Sequence, residues 1–113
     1  VVIGVLLRDE QIVGFASVGS CKDEVGAEGS GKIFSLYLHP LAWGAGVSKL
    51  LLNWCEQTLV ARSCTSCRLW VVDINARARR FYEKHGFVLD GVFKVENGVV
   101  LCRMQKERLV QAA

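Results

Sequence analysis

The residue types that could do chemistry in this chain fall into three short groupings. The first is a glycine turn, Trp43-Gly44-Ala45-Gly46-Val47-Ser48, set between an apolar strand and an amphipathic helix. Strand, tight turn and helix start in that order aim free backbone N–H groups and the positive end of a helix dipole at one point. Such a point suits an anion, most often a phosphate or pyrophosphate. The plainer reading is a glycine pair that only tightens a βα connection. The second grouping is Cys64-Thr65-Ser66-Cys67. It has no second close ligand pair to complete a zinc site, and it falls between a helix and a strand, not at a helix start as a redox pair would. Chance spacing of small, buried residues is the expectation, and no metal is expected. The third, Gly26-Ala27-Glu28-Gly29-Ser30-Gly31, follows a strand but opens no helix and contains no Gly-Lys-Ser/Thr, so it is not a P-loop. Asp23, Glu24 and Glu28 around it read as solvated loop charges.

The elements that must position these residues follow from composition and periodicity. With 113 residues, 51% of them hydrophobic, a single domain over residues 1–113 is expected. The net charge of +3 is mild and gives no reason to expect nucleic acid. No apolar run is long enough to cross a bilayer, so no membrane partner is expected. Five cysteines, an odd number, fit a reducing, cytoplasmic compartment.

Val1 to Arg8 and Ile12 to Ser20 read as an antiparallel hairpin, and the mixed pattern of the second strand suits cover on both faces. Ile33 to Leu38 alternates as a half-buried strand and is stopped by His39-Pro40. In the helix after the glycine turn, Val47, Leu50, Leu51, Trp54, Cys55, Thr58 and Leu59 recur at helical spacing, with Lys49, Asn53, Glu56 and Gln57 on the other face. Cys67 to Ile74 is almost continuously apolar, as in a buried parallel strand, and closes a right-handed βαβ unit. Asn75 is placed to cap a helix from Ala76 to His85, Gly86 to end it, and Phe87 to pack back on Tyr82. The cations Arg77, Arg79, Arg80 and Lys84 on that helix read mostly as a solvated face, with one or two able to reach a phosphate. Phe87 to Val95 and Val99 to Lys106 form a last hairpin through Asn97-Gly98, and Glu107 to Ala113 reads as a frayed tail.

Taken in order, Leu36-Tyr37-Leu38-His39-Pro40 leading to Gly44-Ala45-Gly46, Leu69-Trp70-Val71 leading to Asn75, and Phe81-Tyr82-Glu83-Lys84-His85-Gly86-Phe87 resemble the GNAT superfamily of acyl-CoA-dependent N-acyltransferases. The closing Cys102-Arg103-Met104 is similar to the family as well, so the resemblance spans residues 33–106. It implies an α/β fold with a mixed, mostly antiparallel sheet, a βαβ unit and flanking helices. The family places a strand and two helices before the first hairpin, so the expectation is an N-terminally truncated or minimal version. The family's turn usually reads Arg/Gln-x-x-Gly-x-Gly/Ala. Here Trp43 stands in the first place and Ser48 in the last, so the turn must rely more on backbone N–H groups.

The activity implied is transfer of an acetyl group from acetyl-CoA to an amine of a small molecule or protein, by direct attack on the thioester. Backbone N–H groups from Trp43, Gly44, Ala45, Gly46, Val47 and Ser48 would hold the pyrophosphate, and the edge of Leu36, Tyr37 and Leu38 would pair with the pantetheine arm. Asn75 would bond the cofactor by its side chain, a role that competes with simple capping. Tyr82 is the expected general acid for the departing thiolate, its phenol near ~10 set against a thiol near ~8.5. The central strand offers no carboxylate as base; His39, an imidazole beside Pro40, is one candidate, and a water chain or residues outside this sequence are the others. A free final strand region leaves a homodimer open. A catalytically degenerate module that binds acyl-CoA or a protein partner is the alternative reading. A dinucleotide-dependent oxidoreductase ranks below both, since the turn lacks the third glycine of Gly-x-Gly-x-x-Gly.

Overall fold

The computed structural model describes residues 1–20, 29–44 and 46–110. Cys21, the acidic loop residues Asp23, Glu24 and Glu28, and Ala45 of the glycine turn lie outside the described residues. Among the described residues the chain forms strands β1 (Val2–Arg8), β2 (Gln11–Ser20) and β3 (Ser30–Leu38), helix α1 (Val47–Ala61), strand β4 (Ser66–Val72), helix α2 (Ala76–Lys84), and strands β5 (Val88–Glu96) and β6 (Val99–Lys106). A single 3-10 turn, Pro40–Ala42, follows β3. This is the expected mixed α/β architecture, in one six-stranded sheet of order β1-β2-β3-β4-β6-β5. Only β3 and β4 run parallel; the other neighbours are antiparallel.

Local chemistry sets the connections. Asp9 (φ 50°) with Glu10 (φ 65°), and Asn97 (φ 50°) with Gly98 (φ 77°), are pairs of left-handed residues. Such pairs make two-residue turns whose twist matches the strands they join. Helix α2 begins with Asn75 Oδ1 accepting from Ala78 N at 3.1 Å. It ends with Gly86 N donating to Glu83 O and Phe87 N to Tyr82 O, the paired bonds of a Schellman ending. Phe87, only 1% exposed, lies edge-on to Tyr82 at 5.6 Å, as its place after Gly86 predicts.

Both helices pack on the same face of the sheet. One core joins Ala16, Val18 and Ile33 to Leu51, Leu52, Cys55 and Leu59 of α1, and continues through Cys67, Leu69, Cys102 and Met104 to Phe81 and Tyr82 of α2. The opposite face carries Ile3, Val5, Leu7, Phe15 and Tyr37, all exposed. Cover of β2 on both faces is therefore not what the chain shows: Gly14, Ala16 and Val18 are buried, while Phe15 between them is exposed. β4 likewise alternates buried and half-buried residues and ends at Val72. Its apolar run reflects half-burial plus Trp70, which faces away from the helices under the Lys94 ammonium, 4.4 Å from the ring centroid.

The stripe on α1 is also rotated from its predicted position. Leu52 and Glu56 are buried and Leu50 is exposed. Glu56 is drawn inward because Lys106 of β6 meets it at 2.7 Å. The final strand is not free, since β6 sits between β4 and β5; the sheet's edges are β1 and β5. Nor is the tail frayed over its described part: Leu109 N donates to Thr65 O at 2.8 Å, and Gln57 Nε2 to Val110 O at 2.9 Å. Cys55, Cys64, Cys67 and Cys102 are buried, and among the described residues no cluster of three or more His, Cys, Asp or Glu could hold a metal. No helix among them is long and apolar enough to cross a membrane.

Candidate active site

The parallel pairing of β3 and β4 runs from Ser30↔Ser66 to Ile33↔Leu69 and then stops, so the two strands part. Beyond Ile33, β3 stays paired with β2 through Gly14↔Leu38. His39 N donates to Val13 O at 2.7 Å, on the β2 side. Strand alternation therefore sends the N–H and C=O of Leu36 and Leu38 to the other, vacated edge. At that edge the Leu38 carbonyl takes the indole N–H of Trp43 at 2.9 Å. An exposed ladder edge inside a sheet is a template for another extended chain.

A cleft of about 470 Å³ opens along this edge. Leu36, Tyr37 and Leu38 of β3 form one wall, and Trp43, Gly44 and Ser48 of the turn close one end. Asn75, Arg77, Ala78, Phe81 and Tyr82 of α2 form the opposite wall. The starts of α1 and α2 thus meet in the same cleft. Gly44 (φ 96°) and Gly46 (φ 76°) need the left-handed conformation that L side chains rarely adopt. Nothing lies within 4 Å of where a Cβ on either would stand, so the turn leaves open space over its backbone. No side chain caps the start of α1. The first-turn N–H groups of Ser48 and Lys49 have no acceptor among the described residues.

Not every predicted donor in the turn is free. Val47 N donates to Gly44 O at 3.1 Å and Trp43 N to Pro40 O at 3.2 Å. Both N–H groups thus already have acceptors within the turn itself. The cap occupies only Oδ1 of Asn75, which also lines the cleft, so capping does not use its side-chain NH₂. Trp43 is held by its indole bond, and the Arg77 guanidinium lies over its ring at 3.7 Å from the centroid.

Tyr82 faces the cleft between Phe81 and Phe87, with edge-on ring contacts at 5.2 and 5.6 Å. Burial, reinforced by the neighbouring Cys55 and Cys67 thiols, pushes its phenol up to about 12. Against a thiol near ~8.5, such a phenol is the weaker acid, so outright proton transfer to a free thiolate is uphill. What the site does offer is a phenol at the cleft that keeps its proton and can act as a hydrogen-bond donor. His39 stands elsewhere. Its Nδ1 accepts from Leu41 N at 3.1 Å, and its ring lines a separate hollow beside Arg8, Asp9 and Gln11. No carboxylate lines the main cleft among the described residues. Pro40, Ala78 and Phe81 also line the cleft; in the sequence their signal is only the strand stop at Pro40 and the helical face that Ala78 and Phe81 share with Tyr82.

Several solved structures share this architecture. The ribosomal-protein-alanine N-acetyltransferase of Brucella melitensis superposes with a TM-score of 0.78 at 26% identity, over 93% of this chain and 67% of that one. The PaiA N-acetyltransferase of Thermoplasma acidophilum, solved in complex with coenzyme A, gives 0.71 at 23% identity over 93% and 59%. YncA of Salmonella typhimurium, solved with acetyl-CoA, gives 0.77 at 22% identity over 98% and 66%. The chain thus spans roughly two thirds of their length or less. Among curated proteins no relative matches it. The profile of the acetyltransferase (GNAT) family matches residues 1–87, most of the 113, and with the split sheet and glycine turn described above the chain belongs to the GNAT acetyltransferase family.

Proposed function

We propose that the chain transfers an acetyl group from acetyl-CoA to an amine. The observation that carries this is the vacated β3 edge leading into an open glycine turn: an extended arm ending in a pyrophosphate fits both at once. Two solved relatives of the same fold hold CoA or acetyl-CoA, which supports the reading. The pantetheine arm would add as an extra strand against Leu36 and Leu38, and its thioester carbonyl would meet a backbone N–H of that edge as an oxyanion donor. The pyrophosphate would sit over Gly44 and Gly46 at the start of α1. The Asn75 amide would donate to the cofactor while its oxygen caps α2. An amine attacks the carbonyl, a tetrahedral oxyanion forms, and it collapses with loss of the thiolate. Tyr82 stabilises that sulfur by a hydrogen bond, and solvent supplies the proton that neutralises it.

We give His39 a capping role at the Pro40–Ala42 turn and leave the amine's proton to water or to the acceptor itself. The cleft's lack of a carboxylate among the described residues favours one second reading, a module that binds acyl-CoA without turning it over. Calorimetric titration with acetyl-CoA, then thiol release in the presence of an amine panel, separates the two. Binding with release supports the transferase; binding without release supports the module; no binding sinks both. Within the transferase reading, Tyr82→Phe should lower turnover about tenfold or more with little change in acetyl-CoA affinity. Unchanged turnover would remove Tyr82 from the chemistry.

A further inference from the structure

We propose that Arg77, seated on the Trp43 ring, is the cation that grips the pyrophosphate in this cleft, in place of the Arg or Gln that begins the glycine turn in the family. The proposal rests on the acyl-CoA reading above. Its first ground is the stack itself. The guanidinium lies 3.7 Å from the ring centroid, well inside the ~6 Å range of a cation–π contact. The ring is fixed at its far side by the indole bond to Leu38 O. Trp43 is thus a held platform, and the guanidinium over it carries the N–H fork that suits phosphate.

The second ground is where Arg77 stands in the chain. It lies in the first turn of α2, which carries no acidic residue. A cation there opposes the helix dipole, so helix stability gives no reason for it. Arg79, two residues on, is neutralised by Asp73: its Nη1 lies 3.6 Å from the carboxylate and donates to the Asp73 backbone carbonyl at 3.0 Å. Arg77 has no carboxylate partner among the described residues. The third ground is convergence, since Arg77, Trp43, Gly44, Ser48 and Asn75 line one cleft. A side chain whose charge opposes its helix dipole, that has no counter-ion among the described residues and that lines the cleft beside the glycine turn is placed for a ligand.

The test is calorimetric binding of CoA, 3′-dephospho-CoA and inorganic pyrophosphate to the full chain and to Arg77→Ala, Arg77→Lys and Trp43→Leu, with circular dichroism to show that each folds. Arg77→Ala should weaken CoA at least tenfold, as expected for one lost charge-assisted bond. Dephospho-CoA and pyrophosphate should weaken alike, and added salt should narrow the gap. Arg77→Lys should recover part of the affinity, and Trp43→Leu should fall between. CoA binding within twofold of the parent in Arg77→Ala overturns the proposal and leaves the acyl-CoA reading standing. A loss that disappears with dephospho-CoA overturns the pyrophosphate assignment in favour of the ribose phosphate. A loss in Trp43→Leu but not in Arg77→Ala makes the ring itself the contact and removes the cation. Pyrophosphate binding that depends on Arg77, without CoA binding, keeps the cation site and sinks the acyl-CoA reading. Binding of none of the three ligands sinks both.

Discussion

Asn75 caps α2 with one atom and, in the proposed function, donates to the cofactor with another, and substitution can separate the two. Its Oδ1 accepts from Ala78 N at 3.1 Å, and its NH₂ group is left at the cleft wall. Asn75→Ala removes both. Losing an N-cap costs ~1 kcal/mol, which for a domain of this size lowers Tm by about 4 °C or somewhat more. Asn75→Asp keeps an oxygen for Ala78 N and adds a charge that the start of α2 favours by roughly 0.3–1 kcal/mol. It lacks the donors, however, and sets a carboxylate beside the cofactor's path. The expected result is therefore a crossed pattern. In thermal unfolding, Asp should match or exceed the parent while Ala falls. In calorimetry with CoA, both should lose tenfold or more, the equivalent of about 1.4 kcal/mol. Asp binding CoA as well as the parent would refute the cofactor role and reduce Asn75 to a cap. An unchanged Tm in Ala would refute the cap's contribution instead.

Three other outcomes follow from the same structure. Gly46→Val places a branched side chain at φ 76° and in the open space over the turn. It should cost ~1–2 kcal/mol of stability and abolish most CoA affinity; retained affinity in calorimetry would sink the glycine-turn reading. Alkaline titration should weaken the fold early. Burial, then the neighbouring Glu56, raises fully buried Cys55 from 9.0 to about 12, and burial raises Tyr82 from 10.0 to about 12. Both groups hold their protons more tightly folded than unfolded, so the stability they carry is complete below pH 9 and is lost as pH rises toward 12. Cys55 alone accounts for ~4 kcal/mol of that loss, so Cys55→Ala should flatten the alkaline limb of a Tm-versus-pH curve. Finally, Lys106→Met leaves the buried Glu56 carboxylate without its 2.7 Å partner. That should cost ~1–3 kcal/mol, and adding Glu56→Gln should recover much of it in urea unfolding; no recovery would mean that the pair is not what holds Glu56 inward.

Signals that live in one local geometry were legible in the chain. Asn97-Gly98 could make only a tight hairpin, and Gly86 before Phe87 could end α2 only by folding Phe87 back on Tyr82. The glycine turn announced its conformation, and the structure leaves open backbone where one was expected. What failed to read was set by distant partners. Glu56 scores as a surface residue until Lys106 arrives from the far end of the chain. β4 looks buried on both faces because an apolar run does not say which face a helix will cover. His39 has suitable chemistry, but the bond from Leu41 N turns its ring to a different hollow. The stack of Arg77 on Trp43 joins residues 34 apart in sequence, and no periodicity within either segment encodes it.

The parting of β3 from β4 has a mechanical meaning as well as a chemical one. The sheet is two three-stranded ribbons, β1-β2-β3 and β4-β6-β5, stitched in the sheet by one short parallel register from Ser30 to Ile33. The stitch lies at one end, so the ribbons form a tweezer with its pivot at Gly31 and Cys67 and its jaws at Leu38 and Val72. Gly31 at that pivot has no room for a side chain: a Cβ there would stand 2.5 Å from a Leu59 methyl carbon. The pivot is therefore locked under α1, while the jaws are free of mutual hydrogen bonds. An extended molecule added along the Leu36 and Leu38 edge would carry the sheet's hydrogen bonding into that gap.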